Sequence, residues 1–359
     1  MQADRKIPVR VFGGQGYVAG EVLRLLVQHP TVTVSCVSTT SQAGELVSQV
    51  FPHLAGTSID GHRFVDQDIA ATQGYERGRV EALMFATPHG ATASLVDRAL
   101  SAAEAAGAPV RAVDLSADFR FRDAATYAAI YAKPHAAPHR LDAFVSSVPE
   151  FHRGATPQHA AQPGCFTTAA TMAAWPFVGA GLVDGPVFVS AITGSSGSGR
   201  TPIQGTHHPE RDNNLYAYNA LVHRHESEMS LLLGRALPGG GTVDVEFVPH
   251  SGPFVRGIHA TVRMTLREPV AAEALLKIAS DAYGHTPFVH ATLTPPKLTE
   301  VIGTNRVRLG IFVRGRTLVV TSVIDNLTKG AAGGGVQWMN RLLGLPESAG
   351  LLLPGLGWI

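Results

Sequence analysis

Ile7-Pro8-Val9-Arg10-Val11-Phe12-Gly13-Gly14-Gln15-Gly16-Tyr17-Val18-Ala19-Gly20 decides the fold. Ile7 to Phe12 reads as a short buried strand, the glycines as a turn, and Glu21 through His29 as an amphipathic helix. Strand, glycine turn and helix open a dinucleotide-binding unit. The glycines let the backbone approach a pyrophosphate, and the helix N-terminus faces its charge. The spacing is Gly-x-x-Gly rather than the full fingerprint, so a glycine turn that holds no ligand is the competing reading.

The residues that follow support the first reading. Val32 to Ser38 is a second strand, ending about 20 residues past the glycines, where such a fold holds the adenosine ribose. Ser38-Thr39-Thr40-Ser41 offers no acid to clamp a ribose hydroxyl, which leans toward a phosphorylated ribose, and no arginine to hold that phosphate. Val80 to Ala86 is a third strand, ending in Thr87-Pro88-His89-Gly90, with a helix from Ala91 to Ala106 behind it. Val110 to Leu115 is a further strand. Alternation of this kind gives an α/β domain, a doubly wound parallel sheet of the Rossmann type with helices on both faces.

The polar, irregular stretch Phe151 to Ala161 marks a domain boundary. Beyond it, Val187 to Thr193, Val243 to Val248, His259 to Leu266 and Leu318 to Ile324 read as strands of a mixed or antiparallel sheet, with a helix at Val270 to Tyr283. The last apolar helix, Ala331 to Leu343, is expected to return to the first domain. The division is then 1–162 with 328–359 for the dinucleotide, and 163–327 for an α+β catalytic domain.

Composition narrows the function classes. A net charge of +1 with scattered basic residues gives no reason to expect nucleic acid. Only Cys36 and Cys165 are present, which suits a reducing compartment better than a disulfide framework. Asp4-Arg5-Lys6 leads straight into a strand without the apolar core of a signal peptide, and no apolar run approaches the roughly 20 residues of a membrane helix. A cytoplasmic protein is expected.

Chemistry gathers in four places. In Gln162-Pro163-Gly164-Cys165-Phe166-Thr167-Thr168 a Pro-Gly turn delivers a cysteine to the start of an alanine-rich helix. Unpaired N–H groups and the helix dipole favour thiolate there, although an inert half-buried cysteine is the commoner case. Thr193-Gly194-Ser195-Ser196-Gly197-Ser198-Gly199-Arg200 reads as a flexible linker or as an anion cradle ending in a cation. His207-His208-Pro209-Glu210-Arg211 and His223-Arg224-His225-Glu226-Ser227-Glu228 concentrate histidines. A zinc site is the poorer reading, because neither stretch has a known catalytic zinc motif. An acid/base partner for Cys165 and a solvated polar loop compete for the rest. In Pro249-His250-Ser251-Gly252-Pro253-Phe254-Val255-Arg256-Gly257-Ile258, Arg256 at a strand mouth could clamp an anion or be structural.

Together these stretches resemble the N-acetyl-gamma-glutamyl-phosphate reductase family of the aspartate-semialdehyde dehydrogenase superfamily. The matching blocks include Gly13 to Glu21, Phe51-Pro52-His53-Leu54, Pro88-His89-Gly90, Asp114-Leu115-Ser116-Ala117-Asp118-Phe119-Arg120, Pro163-Gly164-Cys165, Gly197-Ser198-Gly199-Arg200, His223-Arg224-His225, Gly303-Thr304-Asn305 and Asp325 to Gly333.

The resemblance implies a glyceraldehyde-3-phosphate dehydrogenase-like pair of domains and an NADP-dependent reductase of arginine biosynthesis. Such an enzyme converts the acyl phosphate to N-acetylglutamate 5-semialdehyde and phosphate through a cysteine thioester. Carried over residue by residue, it implies Cys165 as nucleophile, His225 as proton partner and His223 as its helper. Arg120, Arg200, Glu228 and Arg256 would bind substrate. Gly13, Gln15, Gly16, Tyr17, Val18, Ser38, Pro88, Ser195, Gly197 and Asn326 would bind NADP, with no metal.

A homodimer or homotetramer is implied, meeting through the second domain's sheet. Ala19 and Thr39 stand where members commonly have glycine and arginine; the second leaves the choice of NADP over NAD open. Thr206 to Arg211 resembles the branch whose substrate, an aminoadipyl or glutamyl phosphate, is linked to an amino-group carrier protein. A dinucleotide-binding regulator without activity is the remaining alternative; it predicts loss of the cysteine or its histidines, which this chain keeps.

Overall fold

A computed structural model describes residues 6–357; Asp4 and Arg5 lie outside them. The chain divides into one unit running to Pro163 and resuming at Ala332–Leu352, and a second of Gly164–Ala331 with residues 353–357. The last residues, expected with the first domain, thus group with the second.

In the first unit β1 (Ile7–Phe12), β2 (Val32–Thr39), β3 (Val65–Asp66), β4 (Glu81–Phe85), β5 (Val110–Asp114), β6 (Phe144–Ser146) and β7 (His159–Ala161) form a parallel sheet in the order β3-β2-β1-β4-β5-β7-β6. Every residue of β4 is buried, as both faces of a doubly wound sheet require. The chain runs outward from β1 through β3 and then returns to place β4 beside β1. Strand order therefore reverses between β1 and β4, and ligands bind such folds at the crevice beyond those two strand ends. Gly13 and Thr87-Pro88 follow these two strands.

Helix α1 spans Tyr17–Leu26, beginning four residues before the expected Glu21. Gly20, read as the end of the turn, lies within the helix; the Phe51 ring sits 2.7 Å from where a Cβ would be. Close packing chose glycine there, and the turn itself is only Gly13 to Gly16. Helix α2 (Thr92–Ala106) packs on the sheet through Leu95, Val96, Ala99 and Leu100, and stacked pairs Phe12–Phe85 and Phe119–Phe144 fill the core. The stretch taken as irregular begins at the last residue of a 3-10 turn, Pro149–Phe151, and ends in the buried β7, whose Ala160 and Ala161 pair with Val113 and Asp114.

His159 on β7 is 2% exposed, and its Nδ1 accepts the Ala112 N–H at 3.1 Å. Burial, then the charge of Arg111, holds its pKa down to about 4. A folded-state value below the unfolded value of about 6.5 means that folding favours the neutral ring. Its stabilising effect is complete above pH 6.5 and lost as pH falls toward 4, on the order of 3 kcal/mol. Urea unfolding from pH 7 to pH 4 should show a shallower acid loss in His159→Gln than in the parent; equal slopes would remove this group from the account.

In the second unit, helix α3 (Cys165–Gly179) is followed by β8 (Val183–Thr193), β9 (Tyr216–Ala217), helix α4 (His225–Gly234), β10 (Val245–Ser251), β11 (Ile258–Leu266), helix α5 (Ala272–Tyr283), β12 (Val289–Thr292), β13 (Val307–Arg314) and β14 (Thr317–Ile324). The sheet is mixed, in the order β12-β13-β14-β11-β8-β10-β9: β8 pairs parallel with β10 and antiparallel with β11. On β8, Val187, Val189 and Ala191 are buried while Phe188, Ser190 and Ile192 are partly exposed, the period of two of a sheet covered on one face. The sequence reading missed β13. Its Gly310 lies where Pro296 and Thr321 leave no room for a Cβ, at 2.7 and 2.8 Å, so a residue that weakens strand propensity is required by packing.

A π-helical turn, Thr328–Ala332, precedes helix α6 (Gly333–Leu342), which belongs to the first unit; its Trp338 Nε1 donates to the Ser147 carbonyl at 2.8 Å.

Candidate active site

Cys165 is the first residue of α3, and Gly164, its N-cap, supplies no side-chain cap. Two glycines make this position possible. A Cβ on Gly164 would lie 2.4 Å from His225 Nε2, and one on Gly330 would lie 2.7 Å from the Cys165 Cβ. The imidazole thus rests on the residue before the cysteine, and Gly330 presses against the cysteine itself. Behind the turn, the buried Glu228 carboxylate on α4 accepts the Gly164 N–H at 2.9 Å and the Thr167 hydroxyl at 3.0 Å. Glu228, expected to meet substrate, holds the turn that carries Cys165.

His225 opens α4, and the Nδ1 of His223 accepts its backbone N–H at 3.2 Å. The two rings lie 4.7 Å apart, edge to face, with Phe166, Phe247 and Tyr218 around them. Burial, then Arg224, pushes His223 down to about 4. It is therefore neutral near pH 7, with Nδ1 accepting and Nε2 carrying the proton. Burial, then Cys165, raises the Tyr218 phenol. Cys165, His223, His225, Tyr218, Thr193 and Ser251 line one cavity of about 600 Å³. His207 and His208 lie on an exposed segment. Among the described residues no group of three or more His, Cys, Asp or Glu is placed to hold a metal.

The glycine-serine stretch is neither linker nor cradle. Ser195 to Ser198 form a 3-10 turn whose Ser195 and Ser196 N–H groups donate to the Phe254 and Val255 carbonyls, while Gly197 and Gly199 donate within the turn. These amides are spent on the protein. Asn326 braces the turn: its Nδ2 donates to Ser196 Oγ at 3.0 Å and its Oδ1 accepts the Gly257 N–H at 2.6 Å. Arg256 donates to both oxygens of the buried Asp325, at 3.0 and 3.1 Å, and to Thr328 Oγ1. The carboxylate that Arg256 meets is thus the protein's own. Arg200 is exposed beyond the turn, and Arg120, in the first unit, is buried with Nε donating to the Gln162 carbonyl at 3.0 Å.

The expected cofactor residues of the first unit gather at the crevice. Gly13 takes a φ of +92°, and a Cβ there would strike the Ala86 carbonyl at 2.5 Å. Gly16 caps α1 with no side-chain cap and no acid in the first turn, and nothing lies within 4 Å of its Cβ position. By contrast, Asp118 closes the end of α2, accepting the N–H groups of Gly90, Thr92 and Ala93 at 2.6, 3.1 and 2.9 Å. Of these two helix ends, α1 is open to an anion. Gln15 donates to the Thr39 and Ser41 hydroxyls at 2.7 and 2.6 Å, and the fully buried Ser38 Oγ has no hydrogen-bond partner. Tyr17 and Pro88 are exposed and Val18 is half-buried. Asp118 is the residue that sequence reading missed as a cap; its acidic side chain before a buried phenylalanine was the available signal.

Residues 8–157 match the model of the semialdehyde dehydrogenase NAD binding domain, and 165–326 that of the semialdehyde dehydrogenase dimerisation domain. N-acetyl-gamma-glutamyl-phosphate reductase of Halorhodospira halophila is 37% identical over 96% of this chain and 98% of that one. The protein of the same name from Pseudomonas aeruginosa is 38% identical over the same shares. The chain belongs to the N-acetyl-gamma-glutamyl-phosphate reductase family. Solved structures agree with the fold of this family. Aspartate semialdehyde dehydrogenase of Candida albicans superposes with a TM-score of 0.66 at 13% identity, covering 94% of this chain and 98% of that one. The Vibrio cholerae enzyme gives 0.64 at 17%, with the same coverage. Like its family, the chain is an oxidoreductase with a Rossmann-type NAD(P)-binding domain.

Proposed function

We propose that this chain reduces N-acetyl-gamma-glutamyl phosphate to N-acetylglutamate 5-semialdehyde, with Cys165 as nucleophile and His225 as its proton partner. The observation that carries this reading is the cavity in which a helix-starting cysteine and a buried histidine, its ring seated on Gly164, share one wall. The positive end of the α3 dipole favours a thiolate. The Cys165 sulfur attacks the acyl carbon, the acyl–oxygen bond breaks, and phosphate leaves, giving a thioester. A thioester accepts hydride where a carboxylate does not, which is the purpose of the sulfur. His225 donates a proton to the oxyanion left by reduction and takes it back as the carbon–sulfur bond breaks, releasing aldehyde and thiolate. His223, held neutral, donates from Nε2 to substrate oxygen.

A nicotinamide dinucleotide supplies the hydride when bound. The first unit fits one: Gly13, Gln15 and Gly16 leave the α1 end open to pyrophosphate, with Tyr17, Val18 and Pro88 beside it. Ser38 holds an orphaned hydroxyl where a ribose belongs. Ser195, Gly197 and Asn326, also expected to contact the dinucleotide, form the braced turn of the second unit. Without an acid at Ser38 to Ser41, NADP is the dinucleotide that this strand end favours. Arg120 and Arg200 remain the basic residues expected at phosphate and carboxylate, Arg256, expected with them, is paired with Asp325, and Glu228 acts from behind the cysteine.

The partly exposed sheet face carrying Phe188, Ile192, Val319 and Phe312 is where a second copy would dock. Among the described residues no helix is long and apolar enough to cross a membrane, and a cytoplasmic setting suits the two free thiols. A second reading keeps the chemistry and changes the acyl carrier. Ile203, Leu215, Leu221 and Val222 are more than half exposed on the segment beside the cavity, a surface that suits a carrier protein.

The discriminating assay runs in reverse. Purified protein should reduce NADP with N-acetylglutamate 5-semialdehyde only when inorganic phosphate is present, with kcat/KM at least about tenfold above that for NAD. Turnover of a carrier-linked aldehyde without turnover of the acetyl compound would overturn the substrate; equal use of NAD would overturn the cofactor choice.

A further inference from the structure

Arg211 stands outside the machinery described so far. It ends the short helix His208–Arg211, is 7% exposed, and donates Nη1 to Ser251 Oγ at 2.6 Å and Nη2 to the Thr193 carbonyl at 3.4 Å. Its Nε is buried without a hydrogen-bond partner. Among the described residues no carboxylate pairs with it, and the groups that oppose its desolvation are the phenols of Tyr216 and Tyr218. A guanidinium keeps its charge when buried, and a buried charge without a counter-charge is costly unless a ligand supplies one. Arg256 is already neutralised by Asp325, so it does not play this part.

Both groups that Arg211 touches, Ser251 and Thr193, line the cavity with Cys165. Since Ser251 Oγ accepts from the guanidinium, its own proton is left to donate into that space. We propose that the Arg211–Ser251 pair is the seat of an anionic oxygen of the substrate: Ser251 donates the hydrogen bond, and Arg211, a positioning residue, polarises it and balances the charge. This rests on reading the cavity as an acyl-phosphate site. The anion is either the phosphoryl group, equivalent to inorganic phosphate in the reverse direction, or the carboxylate of the semialdehyde.

Reverse-direction kinetics on Arg211→Met, Arg211→Lys and Ser251→Ala, varying phosphate and semialdehyde in turn, test the seat. Arg211→Met should raise the KM of one of the two by at least about tenfold with kcat changed far less. Ser251→Ala should raise the same KM several-fold, and Arg211→Lys should restore most of it. A rise for phosphate names the phosphoryl group; a rise for semialdehyde names the carboxylate. Unchanged KM values, or a fall in kcat alone, overturn the proposal. If Arg211→Met does not fold, Ser251→Ala decides by the same criterion. A parent protein without any turnover would instead strike the acyl-phosphate reading. Calorimetry with inorganic phosphate and with N-acetylglutamate 5-semialdehyde in turn then decides the seat: equal binding of both by parent and Ser251→Ala, or no binding of either, overturns it, and weaker binding of one of them by the variant upholds it.

Discussion

Cys165→Ser should lose at least about 10⁴-fold in kcat while binding NADP with an unchanged dissociation constant. The substitution changes one atom at the first residue of α3, so the N-cap at Gly164 and the Glu228 bonds behind it stay in place. What is lost is the chemistry of sulfur. A serine hydroxyl at this helix end stays protonated near pH 7, and the ester it would form is a poorer hydride acceptor than a thioester. The dinucleotide residues proposed in the first unit are untouched, and quenching of protein fluorescence by NADPH measures binding separately from turnover. Activity within tenfold of the parent would refute the covalent route.

His225→Gln should cost about 10² to 10⁴ in kcat and should also remove one limb of the pH–rate profile. Glutamine keeps a polar side chain on Gly164 but cannot exchange a proton near neutral pH. The parallel change at His223 tests the division of labour. Because burial holds that ring neutral down to about 4, its loss should raise KM and leave the pH dependence above that value unmoved. A variant at 223 that removes the pH limb, with one at 225 that does not, would exchange the roles.

Much of this site was readable from local patterns. Glycine turn, strand ends and the Pro-Gly-Cys helix start each depend on neighbours in sequence, and each was found. The positions that escaped depend on partners far along the chain. Nothing near Gly20 announces the Phe51 ring that confines it, and nothing near Gly310 announces Pro296. Arg256 could be read as an anion clamp or as structural, because its stretch gives no hint of Asp325, with which it pairs. Ser195 and Ser196 read as linker or anion cradle because their acceptors, Phe254 and Val255, lie on another segment. Composition locates polar groups; only the fold says which are already satisfied. Arg211 is the converse, an ordinary arginine in sequence that the fold buries without a counter-charge.

The contact between Gly330 and the Cys165 Cβ carries a consequence for biosynthesis. Synthesis on the ribosome proceeds from the N-terminus, so the thiol is made long before the glycine that walls it in. That contact joins residues far apart in sequence, and the loop entropy of closing it must be met before the contact stabilises anything. The nascent chain therefore carries the Cys165 thiol with one wall missing until the π-helical turn arrives. The surroundings of Cys165 are complete only once the chain has been made through Gly330.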